Sequence, residues 1–237
     1  MEDKKWGLYE SMIPTQIEEV LAETPIAYIP WGALEYHSYH NPVGLDGIKA
    51  HGLCIDLAKE VGGLVIPPVY QAANLIKSYP GVDFKKHSIE FSESLIRLTC
   101  QEYFQQLVET GFKIVVCLTG HAGEPHIDIL KEVAEEYNAK YPECHFWSLA
   151  EFDILPDELL VANHSALGET SLQLYYAPET VHQDLLPQDR EITLEQDGIA
   201  GQDPRLANAE RGALIAKTFL TNASIKLNDI LNSITAS

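Results

Sequence analysis

The chain has 237 residues, 46% hydrophobic and 22% charged, the balance of a folded globular protein and not of a disordered or fibrous one. Its 16 lysines and arginines against 35 aspartates and glutamates leave a formal charge of −19, which repels phosphate backbones and anionic lipid and so excludes nucleic acid and membrane surfaces as expected partners. No run approaches the ~18 apolar residues of a membrane span, Met1 to Glu10 is charged with no apolar signal core behind it, and the four cysteines (Cys54, Cys100, Cys117, Cys144) form no C-x-x-C pair, so a reduced, cytoplasmic chain is expected.

In chain order, Thr24 to Trp31 reads as a mostly buried strand and Gly47 to Glu60 as a helix with apolar residues at helical spacing. The loop of about fifteen residues between them is long enough to suggest a functional one. Leu64 to Pro67 is a short apolar strand, and the stretch from there to Lys86, with Pro67, Pro68, Pro80 and Gly81, reads as an irregular surface loop that could serve as a lid. Ser92 to Thr110 is an amphipathic helix with Ser92 as N-cap, Lys113 to Leu118 a β-branched central strand, and Pro125 to Lys140 a helix with proline in its first turn. His145 to Leu149 is a strand, Gly168 to Tyr176 a helix or a strand, and Asp203 to Ser237 mainly one long helix. Strands alternating with helices predict an α/β fold, a parallel sheet covered on both faces, with no linker to divide residues 1–237 into more than one domain.

In such a sheet the loops leaving the carboxyl ends of the strands line the ligand crevice. The first of them carries Glu35, His37, His40 and Asp46; Glu35 and His37, two apart, share a side if that segment is extended, and Asp46 stands where it could cap the next helix or hold a metal. The strand ending at Thr119 leads to His121 on a glycine-flanked turn, and further on come His164 and Glu169. Imidazoles and carboxylates together suit zinc, manganese or iron(II) rather than an all-oxygen cation such as calcium. Glu35, Asp46 and Glu169 would be charge-balanced by two divalent ions and one hydroxide; without cations some of these acids would stay protonated.

At these residues the chain resembles the creatininase, or creatinine amidohydrolase, family. The family pattern E-x-H-G-x-H-x-P-x-G-x-D stands here as E-Y-H-S-Y-H-N-P-V-G-L-D from Glu35 to Asp46. N-G-H-G-G-N stands as T-G-H-A-G-E from Thr119, H-A-x-x-x-E-T-S as H-S-A-L-G-E-T-S from His164, and G-I-x-G-x-P is echoed by Gly198 to Pro204. The resemblance implies a three-layer α/β/α fold with a mainly parallel central sheet, two divalent metal ions (zinc or manganese, iron being compatible), and hydrolysis of an amide-type C–N bond in a small polar molecule, in a homo-oligomer that is often a hexamer. It further implies that Glu35, Asp46 and His121 hold one metal and His37, Asp46 and Glu169 the other, Asp46 bridging, with His164 as proton shuttle or substrate-orienting group.

Two departures stand out: Ser38 replaces the usual glycine and Glu124 the usual asparagine. Glu124 is read as a catalytic candidate, whether as extra ligand, contact to a cationic substrate or helix N-terminal charge. His40 is read as a substrate contact or as a brace for a ligand carboxylate. These departures leave creatinine itself questionable as substrate; the family also admits a formamide, a peptide-like bond and the ring opening of a cyclic ketone, and a non-catalytic metal-binding member is the rival reading. Lysine and arginine are scarce near the motifs, with Lys49 and Lys131 the nearest, which argues against a phosphorylated substrate. His51, His87, His126, His145 and His182 have no partner pattern and read as structural or exposed. No nucleotide-binding glycine loop and no G-x-S-x-G elbow is present.

Overall fold

The computed structural model describes residues 4–84 and 86–235, and five parallel strands in the order β1-β3-β2-β4-β5 form its centre. The strands are β1 (Trp6–Leu8), β2 (Ile26–Trp31), β3 (Gly63–Val65), β4 (Ile114–Thr119) and β5 (His145–Ala150). β2 and β4 run in register from Ile26 opposite Ile114 to Trp31 opposite Thr119, and β5 continues it from His145 opposite Ile114. Both middle strands are buried along their whole length, which is why they read as unbroken apolar runs instead of alternating ones. Pro30 is tolerated in β2 because it lies beyond Tyr28–Val65, the last β2–β3 register pair.

Strand parity divides the core in two. Ala27, Ile29, Trp31, Val115, Cys117 and Phe146 face a layer formed by α1 (Pro14–Glu23), α3 (Glu93–Thr110) and α4 (His126–Lys140), where Phe104 and Val133 are fully buried. Ile26, Tyr28, Ile114, Val116, Leu118 and Leu149 face the other layer, formed by α2 (Leu45–Val61), α5 (Leu167–Tyr176) and α7 (Ala209–Thr235), with Leu53 and Phe219 at its centre. The result is a three-layer α/β/α sandwich. The short α6 (Leu194–Asp197) lies outside both layers' main helices, in the segment that leads to α7.

α3 follows the expected span, with Ser92 Oγ accepting from the Leu95 amide and Gly111 closing the helix in the left-handed region at φ 108°. Gly168 to Tyr176, open between helix and strand in the sequence, lies in helix α5, which starts one residue earlier at Leu167. Three expectations need correction. The N-terminal segment, assigned no element from sequence, contributes edge strand β1 and helix α1; Pro14 at the first helical position and Gln16, whose Oε1 accepts from the Ile13 amide, start that helix. The last helix begins at Ala209 and not at Asp203, because Pro204–Leu206 makes a separate 3₁₀ turn and Asn208 Oδ1 caps the Arg211 amide. The stretch expected as a surface lid is a surface loop only in its second half: Ala72, Ala73, Leu75 and Ile76 are buried, Ser78 to Gly81 are exposed, and Glu90 ties the two halves down by accepting from the Leu75 amide (2.8 Å) and Ser78 Oγ (2.6 Å).

Candidate metal centre

Helix α2 enters against the carboxyl ends of the two central strands, and glycines there permit the approach. A Cβ on Gly32 would lie 2.2 Å from the Gly47 nitrogen, and one on Gly120 would lie 2.2 Å from the Asp46 carbonyl oxygen. Gly44 is the N-cap and makes no side-chain cap, so Asp46, in the first turn, is not the cap. Its carboxylate is instead delivered to the middle of the sheet edge. Glu35 and His37 come from the loop after β2, His121 from the turn after β4, His164 from the segment after β5, and Glu169 from the first turn of α5. Ser38 has φ 61°, a left-handed backbone that explains why the family pattern has glycine at this place. Segment Gly198 to Gly201 earns its place in the motif by pairing: the His164 and Ala200 amides and carbonyls exchange two hydrogen bonds of 2.9 Å.

The side chains meet in two groups, each close enough to share one ion: Glu35, Asp46 and His121, and His37, Asp46 and Glu169. Asp46 divides its oxygens between them. Oδ1 is 3.4 Å from His37 Nε2, and Oδ2 is 3.7 Å from His121 Nδ1. His121 Nδ1 is also 3.1 Å from Glu35 Oε2, and His37 Nε2 is 3.9 Å from Glu169 Oε2. A third combination, Glu35, His37 and His164, is within reach of an ion as well.

Surrounding bonds choose the tautomers, because a carbonyl can only accept. Ala73 O takes the proton of His121 Nε2 (3.0 Å), Glu35 O that of His37 Nδ1 (3.1 Å) and Tyr36 O that of His164 Nε2 (2.8 Å). The nitrogens left over, His121 Nδ1 and His37 Nε2, are the ones aimed at the carboxylates. Glu35 Oε1 accepts from the Ile76 amide and Glu169 Oε2 from the Ser165 amide (2.6 Å), which orients each acid. The His164 ring stacks on that of His37 with centroids 4.4 Å apart.

Burial disfavours every charge here, yet the site stays polarised. Against the cost of burial, Asp46, Glu169 and Glu35 lift His37 to about 9, and Glu35 and Asp46 lift His121. Asp46 is held well below the usual carboxylate range by His37, His121 and Lys49 despite full burial. His164 moves the other way: burial and the neighbouring His37 lower it, so its ring is neutral.

The donor chemistry fits divalent transition cations. Glu35 Oε2, His37 Nε2 and Asp46 Oδ2 are buried atoms with no hydrogen bond, an arrangement that is costly unless a cation satisfies them. Glu35 and Asp46, with His121 and Glu169, line a cavity of about 210 Å³ whose wall also includes Ile76, Tyr79, Asn163, His164, Leu194 and Ala200 and has no lysine or arginine.

Two expected site residues stand apart from these groups. His40 does not line the cavity: it is fully buried, its Nε2 pairs with Thr170 Oγ1 at 3.0 Å, and burial with His37 and His164 lowers it to about 4. Glu124 is exposed on an outer depression next to the cavity, with Tyr79 and Asn74, and belongs to none of the ion-binding groups. Two further residues went unnoticed as site residues in the sequence. Lys49 is fully buried and reaches Glu169 Oε1 (2.5 Å), Glu151 Oε1 (2.6 Å) and Asp46 Oδ1 (3.8 Å). Burial works against its charge, but Glu151, Glu169 and Asp46 raise its pKa above the ordinary lysine value. The usable signals were a lysine one turn after Asp46 on the buried face of α2, and an acid immediately after β5.

Fold and side chains together define a class: an α/β/α protein with a buried carboxylate–histidine centre, able to hold metal ions, at the carboxyl edge of a parallel sheet. A family model described as creatininase, creatinine amidohydrolase, matches residues 10–225, and the chain belongs to the creatininase family. A creatinine amidohydrolase of Pseudomonas putida is 22% identical over 228 residues, which cover 90% of this chain and 85% of the relative. The solved structure of a creatinine amidohydrolase (creatininase) superposes with a TM-score of 0.78 at 17% identity, covering 97% of this chain and 98% of the other. A manganese form of creatininase gives 0.77 at 18% identity, covering 95% and 98%. These likenesses agree with the three-layer architecture.

Proposed function

We propose that the protein is a metal-dependent hydrolase, a single domain that cleaves an amide-type C–N bond in a small polar substrate such as a cyclic amide or formamide. The observation that carries this reading is the division of Asp46 between two ion-binding groups, one carboxylate oxygen turned to each. Glu35, Asp46 and His121 would hold one divalent cation and His37, Asp46 and Glu169 the other. Such a pair, zinc or manganese with iron compatible, supplies an acidified water and electrophilic stabilisation of a carbonyl oxygen. Manganese and Zn-Zn types among creatininase structures, and a mutant creatininase complexed with creatine, support both the metals and a small-molecule substrate.

The remaining steps belong to this chain's own groups. His164 lines the cavity, is neutral, and has Nε2 committed to Tyr36 O, so Nδ1 is the nitrogen that takes a proton from the attacking water and returns it to the leaving nitrogen. Asn163 Oδ1 is buried without a partner on the same wall and accepts from a substrate N–H. The absence of lysine and arginine from the described cavity wall favours a substrate without phosphate. Glu124, at the rim, is placed to meet a donor or cationic group that projects from the cavity; His40 acts from behind through Thr170.

A cytoplasmic homo-oligomer is part of the same proposal. Support comes from four buried cysteines, all free, and from exposed Leu206, Leu214 and Ile225, which a partner subunit could cover. No helix among the described residues is long and apolar enough to cross a membrane.

The test is metal content by mass spectrometry of protein purified without chelators, beside Asp46→Asn, followed by a panel of cyclic amides and formamides with added Mn²⁺ or Zn²⁺. About two ions per native chain, a sharp fall in the variant and metal-dependent turnover are expected. Fewer than about 0.2 ions per chain after incubation with both metals would overturn the reading; two ions with no turnover on any substrate would favour the non-catalytic one.

A further inference from the structure

Lys49 is the one buried lysine or arginine among the described residues, and it is placed against one half of the centre only. Its ammonium is 2.5 Å from Glu169 Oε1 and 3.8 Å from Asp46 Oδ1, the oxygen that faces His37. In the other half, the corresponding neighbour of Glu35 Oε1 is the uncharged Ile76 amide. We propose that Lys49 is a positioning residue that makes the two halves unequal, so that His37, Asp46 and Glu169 hold their divalent cation more weakly than Glu35, Asp46 and His121 hold theirs. The inference rests on the two-cation reading above.

Two physical effects act in the same direction. The Lys49 ammonium occupies Glu169 Oε1, and the Ser165 amide already holds Oε2 at 2.6 Å, so Glu169 is kept as a one-oxygen donor in a fixed orientation instead of closing on a cation with both oxygens. A fixed positive charge near Glu169 and Asp46 Oδ1 also repels a second positive charge in that half, in surroundings where burial weakens screening. Glu151, 2.6 Å from Lys49 and in neither ion-binding group, offsets part of that charge. A lysine–glutamate pair buried merely to stabilise the fold is no better than a neutral pair of similar shape. Its contact with Glu169 is what gives this one a role at the centre.

The test is a titration of chelator-stripped protein with Zn²⁺ and with Mn²⁺, by calorimetry with a competing chelator, which gives two stepwise dissociation constants. Glu169→Gln in the otherwise native chain should abolish the weaker step and spare the stronger. The double variant Lys49→Met/Glu151→Gln, which removes both charges and keeps both shapes, should tighten the weaker step by about tenfold or more and leave the stronger within about threefold. Glu151→Gln alone leaves the ammonium less balanced, and should loosen the weaker step further. This reversal of sign is a signature that loss of folding stability would not produce, and thermal melts by circular dichroism check that each variant folds. Two ions whose constants the variants leave alone, or move together, would overturn the role of Lys49 but not the dinuclear centre. One ion per chain in both the native protein and the double variant would overturn both.

Discussion

Replacing Gly120 with alanine asks whether helix α2 must touch the end of β4 for the centre to form. The added Cβ would stand 2.2 Å from the Asp46 carbonyl oxygen and 2.9 Å from Lys49 Cε. An ordinary contact needs about 3.2 Å or more, so the first turn of α2 has to retreat by about 1 Å, or the β4 turn has to open by as much. Overpacking of this kind costs about 1–3 kcal/mol, which in a domain of this size lowers the melting temperature by roughly 2–4 °C per kcal/mol. The larger effect falls on the centre, because Asp46 moves with its backbone. A misplacement of about 1 Å is enough to cost on the order of a hundredfold at a site that depends on geometry. Gly111→Ala is the control: its Cβ meets nothing within 4 Å, but its φ of 108° strains any L side chain, so it should cost stability of about 1 kcal/mol and leave metal content unchanged. Urea denaturation of the apo-proteins and metal analysis of both variants decide the matter. A Gly120→Ala protein with native stability and native metal content would refute the argument, as would equal metal loss in the Gly111→Ala control.

Three other perturbations are informative. Glu90→Ala removes the acceptor for the Leu75 amide and Ser78 Oγ, so hydrogen exchange should speed up at residues 74–79 while the amides of β4 stay protected. Asp197, whose carboxyl is held below its ordinary value of 3.8 by the paired Arg190 guanidinium, against some burial, also accepts from the Thr193 amide. A depressed native pKa contributes stability above the unfolded pKa and loses it as pH falls through the native one, so the advantage of the native chain over Asp197→Asn should be full at neutral pH and vanish in acid below about 3.8. Leu53→Ala, at the centre of the layer formed by α2, α5 and α7, should cost about 2–5 kcal/mol in urea denaturation without changing the metal-binding residues.

The parts of the fold that were legible in the sequence are those where local pattern and burial agree. Ile114–Thr119 is apolar and β-branched because helices cover both its faces, and Glu93–Thr110 announces its own start and stop through Ser92 and Gly111. β1 escaped because three half-buried residues at a sheet edge, next to charged Lys4 and Lys5, carry no periodicity. The donor types of the centre were legible because acids and imidazoles cluster at strand ends, where parallel sheets place ligands. Lys49 and Glu151 were not, since a lone charged residue reads as solvated even beside apolar neighbours such as Ile48 and Ala50, or Ala150 and Phe152. Only the folded chain brings positions 49, 151 and 169 within bonding distance. His40 illustrates the converse: it sits inside a motif rich in acids and imidazoles, yet its ring pairs with Thr170 and does not line the cavity.

The order of the centre's residues along the chain has a consequence for its assembly during synthesis. Glu35, Asp46 and His121 are all present once β4 and its turn have been made, whereas the group containing His37 and Asp46 waits for Glu169 on α5. A chain lengthening at about 5–20 residues per second therefore completes one ion-binding group seconds before the other. The half of the centre that Lys49 does not touch is thus also the half whose parts are finished first, and the half that borrows from α5 has to wait until that helix has been made and has docked beside α2.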